Sequence, residues 1–448
     1  MKNKRILGGL YIILASLFLA GCDGKKQEVI VQEPIASGEE INISVSTDLH
    51  YLSNELIDDG VAFETYYTKG DGKQLNYTEE IVDSFLDEIK SNNPDILILS
   101  GDLTNNGEKY SHLDLAAKLT KLEENSNTRV FVIPGNHDIQ NPWARGFQGD
   151  KQYVTDSISS AEFAKIYQDF GYDEAISKDA TTLSYLVAPS EDVWLLMLDT
   201  CVYETNYKYG SPAVYGKIEE NTYEWIKECS KMAKEKKARI VTVMHHNLLN
   251  HNLVLNYGFT LDNNEEAIKV FKECGINLVL SGHIHMQDIK SSKEDTDPIY
   301  DIATSSLIVY PIQYGQITYQ PGHGFDYKST QADVEGWANR MGTTDVNLLG
   351  FKEYNRKFFG SISSRKTYDR LTEAGVYTEE EKQLMIETMK LINLNYFAGT
   401  INFIRDAIKE TEGYRLWEKA KEPESLQNYL RSMMYDYGID NTSLFIPE

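Results

Sequence analysis

Short apolar runs recur along the chain, separated by polar or glycine-bearing turns and by stretches of helical periodicity. The runs are rich in Val, Ile and Leu and predict buried β-strands at residues 41–45, 96–99, 130–133, 193–198, 240–243, 276–280 and 299–302. Between them, apolar residues at helical spacing predict helices at residues 78–90, 113–122, 221–235 and 264–274. This alternation indicates an α/β core in which helices cover packed sheets.

The pattern changes in three places. Two long segments, 139–184 and 202–216, interrupt the alternation; segments of this length often bind ligands, although tyrosine-rich ones such as the second also simply pack. After about residue 331 helical patterns replace strand patterns. We therefore expect a catalytic domain at 41–331 and an all-helical C-terminal domain at 332–448, which contains no histidine.

The N-terminus has the pattern of an export signal. A basic start precedes an apolar run at residues 7–20, which ends in Leu19-Ala20-Gly21-Cys22 and resembles a bacterial lipobox. The resemblance implies a signal peptide at 1–21, lipidation of Cys22 and a protein anchored in the bacterial cell membrane on its extracytoplasmic side. The polar, acidic segment 22–40 is then a flexible stalk. The alternative is an ordinary signal peptide with an incidental cysteine.

The acidic net charge of the chain limits the kinds of molecule it is expected to bind. The formal net charge is −24, and removal of residues 1–21 takes away three basic side chains and no acidic one. Stable nucleic-acid binding is not expected, because such proteins present a basic surface. An anionic substrate is compatible with this charge if bound cations invert the local field. The remaining cysteines, Cys201, Cys229 and Cys274, are widely spaced and predict buried apolar positions.

Candidate metal ligands follow five of the predicted strands. The chain has nine histidines, and six of them fall in these motifs. Carboxyl ends of parallel strands meet at one edge of a sheet, so the motifs are expected to converge there. Each motif alone is weak, because a short turn or a helix cap explains it equally well. The five segments are Asp48-Leu49-His50, Gly101-Asp102-Leu103, Gly135-Asn136-His137-Asp138, Met244-His245-His246 and Gly282-His283-Ile284-His285.

In this order and context, the five motifs resemble the calcineurin-like metallophosphoesterase superfamily. The resemblance covers about residues 41–330 and implies a four-layer α/β/β/α sandwich with two metal ions at the strand edge. It also implies that His137 lies beside the metals as a catalytic residue oriented by Asp138, and that Asn136 and His137 meet the substrate. The implied ligand sets are Asp48, His50 and His285 for one metal and Asn136, His245 and His283 for the other, with Asp102 bridging them.

One position departs from the family pattern. Many relatives have proline shortly after the histidine of the fourth motif, whereas Asn247 follows His246 here. We expect His245 to be the ligand, and His246 to support it or to contact substrate.

The ligand types indicate the metals and the reaction. Carboxylate and imidazole together suit Mn, Fe or Zn better than Ca. Two such cations neutralise the charge of a phosphodiester, and a water held between them becomes hydroxide near neutral pH. An imidazolium at His137 is expected to protonate the departing alkoxide or to steady the phosphoryl oxygens.

The sequence favours one substrate class without deciding it. Gly101-Asp102-Leu103-Thr104 followed by Gly107-Glu108 resembles the class III cyclic-nucleotide phosphodiesterase branch. We therefore expect a phosphodiesterase acting on cyclic nucleotides or related small diesters. A phosphomonoesterase or nucleotidase is the alternative enzyme, and a catalytically silent interaction module is the alternative of another class. A nuclease is disfavoured by the acidic charge, and the oligomeric state is not predicted.

Overall fold

The structure is a computed structural model that describes residues 33–292, 297–435 and 440–448. The predicted signal peptide, the lipidation site Cys22 and most of the predicted stalk lie outside these residues. In the described ranges, no helix is both long enough and apolar enough to cross a membrane.

Fifteen strands and fourteen helices make up the described chain, together with short helical turns. The strands are β1 Ile41–Ser46, β2 Ile96–Ser100, β3 Arg129–Ile133, β4 Arg145–Gln148, β5 Lys151–Val154, β6 Ser177–Lys178, β7 Tyr185–Val187, β8 Val193–Leu198, β9 Arg239–Met244, β10 Leu278–Ser281, β11 Asp288–Ser291, β12 Tyr300–Ala303, β13 Gln313–Gln320, β14 Gly324–Gln331 and β15 Ser443–Pro447. The helices are α1 Val61–Lys69, α2 Thr78–Asn92, α3 Lys109–Glu124, α4 Ser160–Ile166, α5 Asn206–Tyr209, α6 Glu220–Lys236, α7 Asn264–Cys274, α8 Val334–Met341, α9 Val346–Leu349, α10 Phe351–Ala374, α11 Glu379–Phe397, α12 Ile401–Lys409, α13 Glu412–Lys419 and α14 Glu424–Met434.

Two large sheets form the centre of the fold. The first has the order β15-β14-β13-β1-β2-β3, and the second has the order β11-β12-β10-β9-β8-β7-β6. Strands β1, β2 and β3 are parallel to one another, as are β8, β9, β10 and β12. The carboxyl ends of these strands therefore meet at one edge of each sheet, which is where the sequence motifs begin.

Alternating side chains of β8 show how the layers pack. Leu195 and Met197 belong to the core shared with β1–β3, whereas Trp194 and Leu196 face the other way and pack with helices α6 and α7. Successive side chains of a strand point to opposite faces, so β8 is covered on both sides. Helices α2 and α3 contribute to the core around the first sheet. The expected four-layer α/β/β/α sandwich is confirmed.

Helices α8–α14 follow the sandwich, as expected, but the C-terminal region is not entirely helical. Its strand β15 returns to pair with β14 at the edge of the first sheet. Strands β13 and β14 were also not predicted, because their sequences alternate aromatic with polar residues instead of forming apolar runs. In β13, for example, Tyr314 and Ile317 are buried while Gln316 is half-buried.

The described end of the predicted stalk is docked. The Ile35 N–H donates to the carbonyl of Pro189 at 3.0 Å, and the Ser37 hydroxyl donates to the Asp192 carboxylate at 2.6 Å. Residues 35–38 thus lie against the loop before β8, which corrects the expectation of a free segment up to residue 40. Ile35 also packs against the hydrophobic core. The polar composition of the segment does not reveal this docking, because it depends on one apolar side chain, backbone groups and a serine hydroxyl.

Candidate metal centre

The five motifs converge on a single cluster at the carboxyl ends of β1, β2, β3, β9 and β10. Ligand atoms of Asp48, His50, Asp102 and His285 lie within 4.8 Å of one another, as do those of Asp102, His245 and His283. The Asn136 Oδ1 atom lies 3.2 Å from His245 Nε2. We call Asp48, His50 and His285 the Asp48 half, and Asn136, His245 and His283 the Asn136 half.

Asp102 lies between the two halves. Its Oδ2 atom is 3.7 Å from His50 Nε2 and 3.4 Å from His245 Nε2. Its Oδ1 atom instead accepts the backbone N–H of His137 at 2.8 Å. One carboxylate oxygen is thereby fixed by the protein and the other is turned toward both halves, as a bridging ligand requires.

The free carboxylate oxygens test whether cations fit this cluster. Asp48 Oδ2 accepts the backbone N–H of His283 and the Thr47 hydroxyl, both at 2.8 Å. The Oδ1 atom of Asp48 and the Oδ2 atom of Asp102 are buried and accept no hydrogen bond within the described chain. Buried charged oxygens without partners are costly. Cations bound between them would remove this cost, so the residues present fit a metal site.

In the Asn136 half, backbone carbonyls decide which histidine nitrogen faces the centre. His245 Nδ1 lies 3.0 Å from the carbonyl of Ser100, and His283 Nε2 lies about equally close to those of Val214 and Gly258, at 3.0 and 2.9 Å. Each of these nitrogens must carry the proton, since a carbonyl only accepts. The lone pairs at His245 Nε2 and His283 Nδ1 are therefore left for a metal.

The Asp48 half is held differently. The Nε2 atoms of His50 and His285 lie 3.0 Å apart, and His285 Nε2 lies 3.2 Å from Asp48 Oδ1. His50 Nδ1 has no hydrogen-bond partner among the described residues. Two imidazole nitrogens and a carboxylate oxygen thus point at one another, an arrangement that a cation between them would stabilise.

Charge in the cluster favours cations. Burial lowers the pKa of His245, but the carboxylates of Asp102 and Asp48 outweigh it and raise that pKa to about 9. Burial lowers the pKa of His283 to about 3 and that of His50 well below its ordinary value. Neutral imidazole is the form that binds metal. His283 and His50 are therefore neutral nitrogen ligands, whereas His245 loses its Nε2 proton when a cation binds in the negative field of Asp102 and Asp48.

The backbone of the motifs is strained in a way that sequence patterns do not reveal. The φ angles are 50° at Asp48, 39° at His50, 48° at Asp102, 69° at His283 and 61° at His285. Left-handed φ values are uncommon for residues other than glycine, and such strain concentrates at functional sites. Five of the seven expected ligands share this feature.

Two motif glycines permit the loops to cross. A Cβ atom on Gly135 would lie 2.0 Å from the backbone nitrogen of Asp102, and one on Gly282 would lie 2.0 Å from the Thr47 hydroxyl. No larger side chain fits at either position without displacing a ligand loop. These glycines therefore allow the loops after β1, β2, β3 and β10 to approach one another.

His137 and Asp138 occupy the expected place with different partners. His137 Nδ1 lies 2.8 Å from the carbonyl of Asn105 and therefore donates to it, and the ring lies 5.0 Å from the ring of His50. Burial lowers the pKa of His137 to about 4, so the ring is neutral in the free site, contrary to the expected imidazolium. Its proton-donor role would require prior protonation of Nε2.

Asp138 does not orient the His137 ring, which corrects that expectation. Its two carboxylate oxygens accept the backbone N–H groups of Leu103, Thr104 and Gly135 at 2.8–3.0 Å. The short side chain of Asp138 points back to the loop after β2, so it supports the backbone that carries Asp102.

His246 is fully buried and supports its neighbours. Its Nδ1 atom lies 2.8 Å from the Thr200 hydroxyl and its Nε2 atom 3.2 Å from the carbonyl of Val214, while its ring packs 4.6 Å from that of His283. With both nitrogens engaged, His246 has no free atom for a substrate, so the expected contact is not supported. His245 is the histidine of this motif that enters the cluster.

The helical region braces one ligand loop. Ile284 and Met286, on either side of His285, pack in a core with Met385 and Met389 of α11. The backbone N–H of Gln287 donates to the carbonyl of Phe397 at 3.1 Å. The helices thus hold the loop after β10 from behind.

Comparison with known families agrees with this geometry. Residues 41–287 match the family model described as calcineurin-like phosphoesterase. The chain belongs to the calcineurin-like phosphoesterase family. Residues 333–440 match a second model, the C-terminal domain of cyclic nucleotide phosphodiesterase. A search of curated proteins finds no match.

Solved structures with a similar fold include two distant ones. A dimetal phosphatase from Danio rerio is 12% identical with a TM-score of 0.46, and the match covers 66% of this chain and 96% of the phosphatase. The anchor protein of the Plasmodium inner membrane complex is 12% identical with a TM-score of 0.35, covering 65% of this chain and 85% of that protein.

Proposed function

We propose that the protein is a metal-dependent phosphodiesterase that hydrolyses small phosphodiesters such as cyclic nucleotides. The match of its helical region to the C-terminal domain of cyclic nucleotide phosphodiesterase supports the diester class. The two halves joined by Asp102 support hydrolysis in general, because their donor atoms suit two divalent cations. Bound there, the cations would neutralise phosphoester charge and acidify a water molecule. Mn, Fe and Zn all suit these donors.

The protein's own residues prepare the centre for an anionic substrate. Asn136 offers a neutral oxygen where a carboxylate would cancel part of the cation charge. His137 lies on the other side, with its Nδ1 donating to the Asn105 carbonyl and its Nε2 left for the substrate. A neutral Nε2 can accept a hydrogen bond from a protonated phosphoryl oxygen or, once protonated, donate to the leaving oxygen.

Hydrolysis by the protein starting after Cys22, stripped of metal and reloaded with manganese, tests the proposal. The substrates are 3′,5′-cyclic AMP, 2′,3′-cyclic AMP, bis-p-nitrophenyl phosphate and the p-nitrophenyl monoester. Metal-dependent turnover of diesters well above the monoester supports a phosphodiesterase. Preference for the monoester would make the protein a phosphomonoesterase, and no turnover despite bound metal would indicate an interaction module.

We also propose that this enzyme acts outside the cytoplasm, anchored through lipid on Cys22. The support is the sequence pattern alone, a basic start and an apolar run before Leu19-Ala20-Gly21-Cys22. Metabolic labelling with a fatty acid should mark the wild-type protein and not Cys22→Ser. Equal labelling of the two, or none of either, would contradict the anchor.

A further inference from the structure

Lys73 is a nearly buried cation in the short turn between α1 and α2. It is 9% exposed, and its ammonium lies 3.5 Å from the carboxylate of Asp71, whose own side chain is 55% exposed. This distance is longer than that of a strong charge-assisted hydrogen bond. Lysine is rarely buried without a close partner. The position of Lys73 is therefore not explained by its pair with Asp71.

The turn is fixed on a segment that also holds the Asp48 half. The backbone N–H of Gln74 donates to the carbonyl of Ile308 at 2.8 Å. Two residues earlier, the Ser306 hydroxyl donates to the carbonyl of Asp48 at 2.7 Å, and the Ser306 N–H donates to that of His285 at 3.4 Å. Lys73 is thus tied through one short segment to two residues of the metal centre.

Packing from the other side prevents the turn from moving away. The Gln74 side chain donates to Asn355 Oδ1 of α10 at 3.1 Å. Gly72 has a φ of 110°, and a Cβ atom there would meet the ring of Phe359 at 3.0 Å. The turn is therefore clamped between the helical region and the segment below the centre.

The charge of Lys73 acts on the centre itself. Burial alone lowers the pKa of Lys73, but Asp71, with smaller contributions from Asp102 and Asp48, raises it above its ordinary value. The side chain is therefore charged. A fixed cation here repels a metal cation and attracts an anion bound at the centre.

We propose that Lys73 binds the phosphoryl group of the substrate, as a third positive charge beside the Asp48 half. This inference rests on the proposed phosphoesterase function. The ammonium would donate a hydrogen bond to a non-bridging phosphoryl oxygen. It would lower the free energy of the bound anion without being a metal ligand, so its loss should affect phosphate and metals in opposite directions.

Calorimetric titration of inorganic phosphate into manganese-loaded protein tests the inference, with bound metal measured by elemental analysis. Lys73→Gln is expected to weaken phosphate binding on the order of tenfold, as the loss of a charge-assisted hydrogen bond implies. Manganese affinity should stay unchanged or rise. Lys73→Arg, which keeps the charge, should retain most of the phosphate affinity.

Two controls separate this effect from a general change. Lys109→Gln removes an exposed lysine paired with Glu162, and Asp71→Asn removes the partner of Lys73; both should bind phosphate as wild type or better. Lys73→Met keeps the apolar stem and serves if Lys73→Gln does not fold.

The possible failures are distinguishable. Wild-type phosphate affinity in Lys73→Gln or Lys73→Met, with metal retained, would overturn the inference alone. Loss of metal from these variants would assign Lys73 a structural role and would also overturn it. If the metal-loaded wild type did not bind phosphate, the proposed function would fail together with the inference.

Discussion

The two halves of the metal centre are built on different principles. The Asp48 half contains a carboxylate of its own in addition to the shared Asp102, whereas the Asn136 half has an amide in the same place. In contrast, the histidines of the Asn136 half are oriented by the carbonyls of Ser100, Val214 and Gly258, while His50 Nδ1 has no partner in the described chain. The Asp48 half therefore carries more negative charge, whereas the histidines of the Asn136 half are held in fixed orientations by hydrogen bonds to backbone carbonyls.

Because of this difference, the half that binds its metal more tightly is not expected to be the half that better holds the phosphoryl group. The carboxylate of Asp48 is a ligand whereas the ammonium of Lys73 is not, so its attraction for a dication outweighs the repulsion by Lys73. The Asp48 half should therefore bind its metal more tightly. The amide of Asn136 leaves more of the cation charge uncompensated, and the fixed imidazoles keep that charge in one place. The Asn136 half should therefore be the weaker metal site and the better one for holding a phosphoryl oxygen.

Removal of the carboxylate of Asp102, which the two halves share, should weaken metal binding in both halves. Asp102→Asn is expected to lower kcat/KM by on the order of 10²–10³-fold, because cations at such sites contribute several kcal/mol to the transition state. Elemental analysis should show less than the wild-type metal content. Asp87→Asn, at a half-exposed aspartate that pairs with Arg340, is the control and should change neither. Full metal content in Asp102→Asn would contradict the bridging position.

The order of the Asn136 half should depend on a buried ion triad. His251 Nδ1 lies 2.7 Å from the Asp288 carboxylate and Nε2 lies 3.1 Å from that of Asp301. Asp301 also accepts the N–H of Leu248 and the Ser281 hydroxyl, next to the loops that carry His245 and His283. The triad thus ties the loop after β9 to β11 and β12, and the bond from Ser281 to Asp301 adds the end of β10.

The triad makes stability depend on pH. Burial lowers the pKa of His251, but Asp301 and Asp288 outweigh it and raise that pKa to about 9. The unfolded value is near 6.5, so the stabilisation is complete below about pH 6.5 and is lost as pH rises through 9. The change in the free energy of unfolding is about 3 kcal/mol.

Urea unfolding of the metal-free protein at pH 6 and pH 9.5 measures this change. His251→Gln should show a smaller pH dependence than wild type by that amount. His323→Gln, at a half-exposed histidine that pairs with Asp326, should retain the wild-type dependence. Identical pH dependence in His251→Gln and wild type would rule out the triad as its source.

The close approach of the loops after β2 and β3 predicts a third, smaller effect, a loss of stability and of bound metal that involves both halves. Gly135→Ala places a methyl group against the backbone of Asp102 and should destabilise the protein by about 1–3 kcal/mol while reducing bound metal. Thermal unfolding and elemental analysis check this. Gly350→Ala, whose Cβ would meet nothing closer than 3.5 Å, is the matched control. Normal stability of Gly135→Ala would show that the loops are less tightly crossed than the structure indicates.

A charge change can make the halves more alike. Asn136→Asp should tighten metal binding in the Asn136 half by about tenfold, as an added carboxylate favours the cation, and should lower kcat because the cation charge is more fully compensated. Metal titration and diester turnover measure the two effects. Asn339→Asp, at an exposed position of helix α8, controls for overall charge. Tighter metal binding with undiminished kcat would remove the proposed reason for the amide.

Much of this centre was predictable from sequence because its ligands follow apolar strands in five short motifs. The choice of His245 over His246 came from the family resemblance, since both follow the same strand, and the structure brings His245 into the cluster. The carbonyls that orient the ligands were not predictable, since every residue has one. Lys73 was missed because it comes from a glycine-rich turn without periodicity, and its neighbourhood depends on how Ile308 and Asn355 pack.

The strands likewise divide into those that the sequence predicts and those that it does not. Strand β2 is an apolar run buried on both faces and was evident, whereas β13 and β14 have a half-buried alternation rich in Gln, Tyr and Thr. Strand β15 pairs with β14 from more than a hundred residues away along the chain, so no local signal marks its place.

Calorimetric titration of manganese into the metal-free protein measures the two halves of the centre separately. Two equivalents per chain in two affinity classes are expected. The weaker class should disappear in His245→Ala, whereas Asp48→Asn should lose the tighter one. A single equivalent in the wild type, two indistinguishable sites, or loss of the tighter class in His245→Ala would contradict the division of the centre into a charged half and an ordered half.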